Sequence, residues 1–249
     1  MLVKVAIRHS GTAKVQVPLP AALCHFRCST RWYVRIVYRV GRLHLVTDTR
    51  PGAQVLSVVS AGLAGGVDTV QVRAEDAICD RDAYELTLRV LALCAESGAT
   101  CLVNDRLHIA LAAGAHGAHV GADDLPVAVA RRVLGPTAIL GATARSPAAA
   151  RQAVADGASY LGVGPAFATS TKDGLPAPIG PAGIQAVAQA VAVPVIAIGG
   201  VTVDRVAELL AAGATGVAVV GALSNAEDPA AAAADFVLAL ARPVNARPS

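Results

Sequence analysis

After Lys14 this sequence contains a single lysine, Lys172, and uses arginine at every other cationic position. No acidic residue precedes Asp48. No window approaches the about 18 uninterrupted apolar residues of a membrane-spanning helix, so no membrane partner is expected. The five cysteines, Cys24, Cys28, Cys79, Cys94 and Cys101, form no CxxC pair, are odd in number and follow no apolar signal region. Reduced thiols in the cytoplasm are therefore expected. Cys24, His25 and Cys28 are too few ligands for a zinc site. The first candidate strand runs into Thr47-Asp48-Thr49-Arg50 and lacks the GxGxxG turn of a dinucleotide-binding fold.

The formal net charge of +3 hides an uneven distribution. Eight of the 21 bases (Lys4, Arg8, Lys14, Arg27, Arg31, Arg35, Arg39 and Arg42) lie before the first acid, leaving thirteen against 18 acids in the remainder. A surface near −5 excludes nucleic acid as a partner. Residues 1–42 form a basic extension expected to be disordered or outside the functional domain. A chain beginning near Val40, where an alternative start would fall, is expected to fold and keep full activity. A targeting leader is the rival reading. Residues 43–241 are read as the catalytic domain and 242–249 as a tail.

From Leu43 onward a helical stretch ending in glycine, a few small residues and a short apolar run recur. Glycine after a helix permits the left-handed conformation that stops it. The apolar runs are Leu43–Val46, Thr69–Val72, Cys101–Val103, Gly117–Val120, Ala138–Leu140, Ser159–Val163, Val195–Ile198 and Gly216–Val219. Ser146-Pro147 and Asp124-Leu125-Pro126 are helix-start signals. Eight strand–helix units in about 200 residues predict an α/β TIM (β/α)8 barrel, with an open doubly wound sheet as competitor.

Barrel active sites lie at the C-terminal strand ends. Those ends carry Asp48; Gln71, Arg73, Glu75 and Asp76; Asn104, Asp105 and Arg106; His119, Asp123 and Asp124; Thr143 and Arg145; Thr169, Ser170, Thr171 and Lys172; Gly199 and Gly200; and Val220 and Gly221. The two glycine turns would let a phosphate approach backbone N–H groups, with plain tight turns as the alternative. Asp105 and Asp124 are hard oxygen ligands that suit Mg²⁺ completed by substrate phosphates, with helix capping as the alternative. Lys172 lies among hydroxyls and glycines, where a compact point charge suits a phosphate or diphosphate oxygen. An ordinary surface lysine is the alternative. His119 is expected to pack at the barrel mouth.

In Leu45-Val46-Thr47-Asp48, Gln71-Val72-Arg73, Val103-Asn104-Asp105-Arg106, His119-Val120-Gly121 with Asp124-Leu125-Pro126, Gly164-Pro165 with Thr169-Ser170-Thr171-Lys172, Ala197-Ile198-Gly199-Gly200-Val201-Thr202 and Val219-Val220-Gly221-Ala222-Leu223, the chain resembles the thiamine-phosphate synthase family. The resemblance covers about residues 43–241. It implies a transferase that joins hydroxymethylpyrimidine diphosphate to thiazole phosphate, and a homo-oligomer is compatible with it. It implies Mg²⁺ on Asp105 and Asp124, and a diphosphate facing Arg73, Asn104, Thr143 and Lys172. It puts the pyrimidine on Gln71 and the thiazole phosphate at Thr169, Thr171, Gly200 and Gly221, with Gly199 and Val220 completing the two turns read above as a phosphate pocket. Of these, Lys172, Arg73 and Thr143 are the catalytic candidates. Three positions depart from the family pattern: Glu75 replaces a usual lysine, Ala122 a glutamine, and Arg145 the histidine of Ser-x-His. Arg145 is the candidate to restore the charge lost at position 75. Its presence also removes the proton-transfer histidine of the sister thiazole tautomerases. A non-catalytic thiamine-phosphate-binding paralogue is the remaining alternative.

Overall fold

The computed structural model describes residues 22–28, 31–37, 39–50, 53–75, 77–169 and 174–242. Eight parallel strands pair in chain order: β1 (Leu43–Val46), β2 (Thr69–Val72), β3 (Thr100–Asn104), β4 (Gly117–Val120), β5 (Ile139–Thr143), β6 (Tyr160–Val163), β7 (Val195–Ile198) and β8 (Gly216–Val219). The sheet closes where β8 meets β1, with Val217 opposite Leu43 and Val219 opposite Leu45. That closure decides for the barrel over the open sheet. Around it lie α1 (Val55–Ala64), α2 (Asp80–Ser97), α3 (Leu107–Ala113), α4 (Val127–Leu134), α5 (Pro147–Ala155), α6 (Gly180–Ala188), α7 (Val206–Ala211), a short α8 (Gly221–Ser224) and α9 (Pro229–Ala241).

Local signals set several helix ends. Ser146 Oγ accepts from Ala149 N at 3.2 Å with Pro147 in the first turn, as the Ser-Pro pair predicts. Gly98 ends α2 at φ 75°, where a side chain would be strained. Asp124 caps no helix; α4 starts after Pro126, and the Asp124 carboxylate turns back to Gly121.

The strands alternate between two cores. Leu43, Leu45, Val70, Val72, Val103, Leu140, Leu161 and Val217 face the helices, whereas Val46, Leu102, Ile139, Tyr160, Ile196 and Ala218 fill the barrel. Period-two alternation with both faces covered explains why the strands read as continuous apolar runs. Small residues make room for two interior rings. A Cβ on Gly141 would lie 2.2 Å from the Tyr160 ring and 2.4 Å from His119, and one on Gly162 would lie 2.8 Å from His119.

Residues Arg39 to Arg42 close the barrel floor. Thr100 Oγ1 donates to Arg39 O at 2.9 Å, Gly41 N donates to Thr69 Oγ1 at 3.1 Å, and Val40 packs against the interior cluster. Asp68 accepts from Arg42 N and Leu43 N at 2.8 and 3.0 Å. The last residues of the basic extension thus belong to the barrel's packing. Further upstream, Ala22–Cys28 and Arg31–Val37 form a separate antiparallel sheet. The expectation of disorder falls otherwise on residues outside the described set, as do residues 243–249 of the tail.

Candidate active site

A polar chain crosses the upper barrel. Gln71 on β2 donates from Nε2 to Tyr160 Oη at 3.4 Å. Tyr160 Oη lies 3.0 Å from His119 Nδ1, and His119 Nε2 lies 3.0 Å from Thr143 Oγ1. His44 meets the Tyr160 ring edge-on at 5.4 Å between centroids. Burial lowers the pKa of His119 to about 4, with Asp124 pulling the other way, and burial also lowers His44 to about 4. Burial raises the Tyr160 phenol. All three groups are neutral near pH 7. Proton donation from Gln71 to Tyr160, from Tyr160 to Nδ1 and from Nε2 to Thr143 is one arrangement consistent with these contacts, and it gives each imidazole nitrogen a partner.

His119 therefore packs inside the mouth, as expected, and also connects two residues assigned to the site by resemblance, Gln71 and Thr143. Sequence reasoning misses Tyr160 and His44. The available signal is positional: Tyr160 has the register of Gly162 on β6 and so faces inward.

The rim above this chain is charged. Asn104 on β3 pairs in register with His119 on β4, so Asp105 and the Gly121–Asp124 turn leave adjacent strands. Asp105 is the single non-glycine residue at positive φ, 61°, among the described residues. A tight turn holds it: Arg106 N donates to Asn104 O at 2.6 Å and Leu107 N to Asp105 O at 2.9 Å. Such a conformation persists where the surroundings impose it, and it recurs at functional sites. Gly121 N donates to Asp124 Oδ2 at 2.6 Å. Both carboxylates are exposed. Among the described residues no group of three or more His, Cys, Asp and Glu side chains is placed to hold a metal. Two exposed carboxylates on adjacent strand ends nevertheless suit Mg²⁺, which takes one or two protein oxygens and completes its shell with water and phosphate.

Arg73 and Glu75 follow β2. Arg73 Nη2 lies 3.9 Å from Glu75 Oε1, a long and partly exposed pair. Thr47 Oγ1 accepts from Arg73 N at 2.9 Å, and Thr49 Oγ1 accepts from Glu75 N at 3.1 Å. Arg106 donates to Glu75 O and to Asp80 Oδ1, tying this loop to β3. Arg145, half-buried at the end of β5, donates to two carbonyls of the β6–α6 connection. Neither of those bonds reaches toward Glu75. Asp48 is paired with the Arg50 guanidinium, which holds its carboxyl below the usual range.

On the opposite rim, Gly199 and Gly200 have φ 92° and 63°. A Cβ on Gly200 would lie 2.4 Å from Ala168 O, so glycine is needed here for close approach as well as for conformation. Val220 precedes Gly221, where α8 begins. Thr169 is described and half-buried; Thr171 and Lys172 lie outside the described residues. A cavity of about 660 Å³ adjoins the end of β1, lined by Asp48, Arg50, Ser57, Ser224 and Glu227 among others. No helix among the described residues is long and apolar enough to cross a membrane.

The family model for thiamine monophosphate synthase matches residues 43–223. The chain is 64% identical to the thiamine-phosphate synthase of Salinispora arenicola over 203 residues, 81% of this chain and 98% of that protein. It is 47% identical to the thiamine-phosphate synthase of Haloquadratum walsbyi over 76% of this chain and 86% of that one. The thiamine phosphate pyrophosphorylase structure from Pyrococcus furiosus superposes with a TM-score of 0.73 at 34% identity, covering 80% of this chain and 95% of that one.

Proposed function

The chain belongs to the thiamine monophosphate synthase family, transferases of thiamine biosynthesis, and we propose that its barrel mouth joins hydroxymethylpyrimidine diphosphate to thiazole phosphate. The products are thiamine phosphate and diphosphate. What carries the reading in the geometry is the single rim shared by Arg73, Asn104, Asp105, Asp124 and Thr143, on the ends of β2 to β5. Cations, amides and hard oxygens meet there above a neutral polar chain.

The reaction needs no protein nucleophile. The bond between the pyrimidine methylene carbon and the diphosphate oxygen breaks, and its electron pair leaves with the diphosphate. The electron-rich aminopyrimidine stabilises the positive carbon that remains, and the thiazole nitrogen supplies the electron pair of the new C–N bond. Catalysis is then mainly stabilisation of the departing anion. Arg73, Asn104, Thr143 and Lys172 face the diphosphate. Gln71 orients the pyrimidine and is itself positioned by Tyr160. The His119 ring fixes the Thr143 hydroxyl. Thr169 and Thr171, with the turns at Gly199-Gly200 and Val220-Gly221, hold the thiazole phosphate. Asp105 and Asp124 would hold Mg²⁺, which would supply neutralisation of the diphosphate charge.

Arg145 argues against tautomerase chemistry at this position, because a guanidinium stays protonated and does not serve as a base. We place the reaction in the cytoplasm, with the thiols reduced. The decisive assay mixes both substrates with Mg²⁺ and follows thiamine phosphate and diphosphate in equal amounts. Conversion of thiazole carboxylate phosphate alone would favour the tautomerase reading. Binding of thiamine phosphate without turnover would favour the non-catalytic one.

A further inference from the structure

Two arginines bracket the connection between β6 and α6. Its ends lie side by side: Ile179 N donates to Pro165 O at 2.9 Å, and Gly180 N to Ala166 O at 3.1 Å. On the β5 side, Arg145 donates from Nε to Gly164 O at 3.1 Å and from Nη2 to Ala177 O at 2.6 Å. One guanidinium thus joins the departing strand to the returning chain. On the β7 side, Arg205 donates from Nη1 to Gly200 O at 2.6 Å and lies 4.3 Å from the Phe167 ring centroid. Phe167 N donates to Gly199 O at 3.0 Å. The neck is therefore tied to both neighbouring strand ends.

We propose that Arg145 is a positioning residue that closes the neck of the β6–α6 connection, and so fixes Thr169 on the rim beside the Gly199-Gly200 turn. The two carbonyls are reached by separate N–H groups of one rigid fork. A lysine ammonium keeps the charge and one bond but has no fixed fork. A histidine at this position would have a shorter reach and at most two N–H donors. The kinetic part of the inference rests on the synthase reading, whereas the neck itself does not.

The test compares the full chain with Arg145→Gln and Arg145→Lys by backbone hydrogen exchange, thermal melting and steady-state kinetics. Arg145→Gln is expected to speed exchange at the Ile179 and Gly180 amides while amides of β1 to β4 keep their protection. Its KM for thiazole phosphate should rise about tenfold, the loss of a positioned contact that binds ground and transition states alike. Its KM for the pyrimidine diphosphate should stay unchanged, and Arg145→Lys should recover part of the loss. Unchanged exchange at the neck would overturn the proposal. So would equal acceleration across the whole barrel with a matching fall in melting temperature, which is the signature of a merely structural role. If the wild-type chain makes no thiamine phosphate, the synthase reading fails, and the exchange comparison still decides whether Arg145 pins the neck.

Discussion

At the barrel floor, the Asp68 carboxylate accepts from two backbone amides of the chain entering β1, while Thr69 and Thr100 bind backbone groups at Gly41 and Arg39. At the mouth, Asp124 accepts from a single amide, Arg73 and Glu75 stand 3.9 Å apart, and Asp105 sits at positive φ. The floor uses polar side chains to finish the backbone's hydrogen bonding. The mouth holds charged side chains at the rim and uses neutral ones, Tyr160 and His119, to position others. On the proposed reading, stability and chemistry occupy opposite ends of the same strands, as in other barrels of this kind. Changes at the floor should alter stability and leave catalysis per folded molecule intact. Changes at the mouth should do the reverse.

Acid should produce the largest effect, because it acts across that division. Burial lowers the pKa values of His44, His116 and His119 from the ordinary 6.5 to about 4. Between pH 6.5 and 4 the unfolded chain binds protons that the fold refuses, so stability falls as pH falls. The slope is at most about 1.4 kcal/mol per pH unit for each histidine. Above pH 6.5 both states are neutral and this contribution vanishes. Melting temperatures should drop through this window, and less steeply in His119→Asn; a flat profile would contradict the buried-neutral assignment.

Asp68→Ala should cost about 2 kcal/mol by leaving two amides at the floor without their acceptor. Denaturant titration reads that loss, while turnover per folded molecule should match wild type. Lost turnover without lost stability would break the contrast between the two ends.

Lys172→Ala should lower turnover at least about tenfold, roughly 1.4 kcal/mol of transition-state stabilisation, with little loss of folded protein. Near-wild-type kinetics would remove Lys172 from the mechanism. Its role rests on the sequence alone, because Lys172 lies outside the described residues. A lone lysine in an arginine-using chain is a compositional signal that needs no structure. The eight strands are equally visible, because a parallel sheet covered on both faces leaves continuous apolar runs, and because glycines punctuate the helices. The interior polar chain is hidden. Tyr160 and His44 sit in apolar strands where their inward direction depends on register, and the space for the Tyr160 and His119 rings is set by Gly141 on β5 and Gly162 on β6. In the sequence Arg145 reads as a replacement charge; its bonds to Gly164 and Ala177 depend on a loop return that no local pattern encodes.

Asp105→Asn and Asp124→Asn should each raise the Mg²⁺ concentration needed for half-maximal activity, because each removes one hard anionic ligand. Full activity of the wild-type chain in excess chelator would refute the metal assignment. Glu75→Lys should have the smallest effect. It replaces the Arg73 partner with a second cation, and should lower the KM for the pyrimidine diphosphate without abolishing turnover. A dead variant would instead make Glu75 a working part of the site.

The most direct test of the division between floor and mouth is a crystal structure of the full chain with Mg²⁺, diphosphate and thiamine phosphate. Diphosphate and metal are expected together at the rim of β2, β3 and β4, touching Arg73, Asp105 and Asp124, with the pyrimidine against Gln71. Ligands bound instead in the cavity beside Asp48 and Ser224, or a metal away from both Asp105 and Asp124, would contradict it.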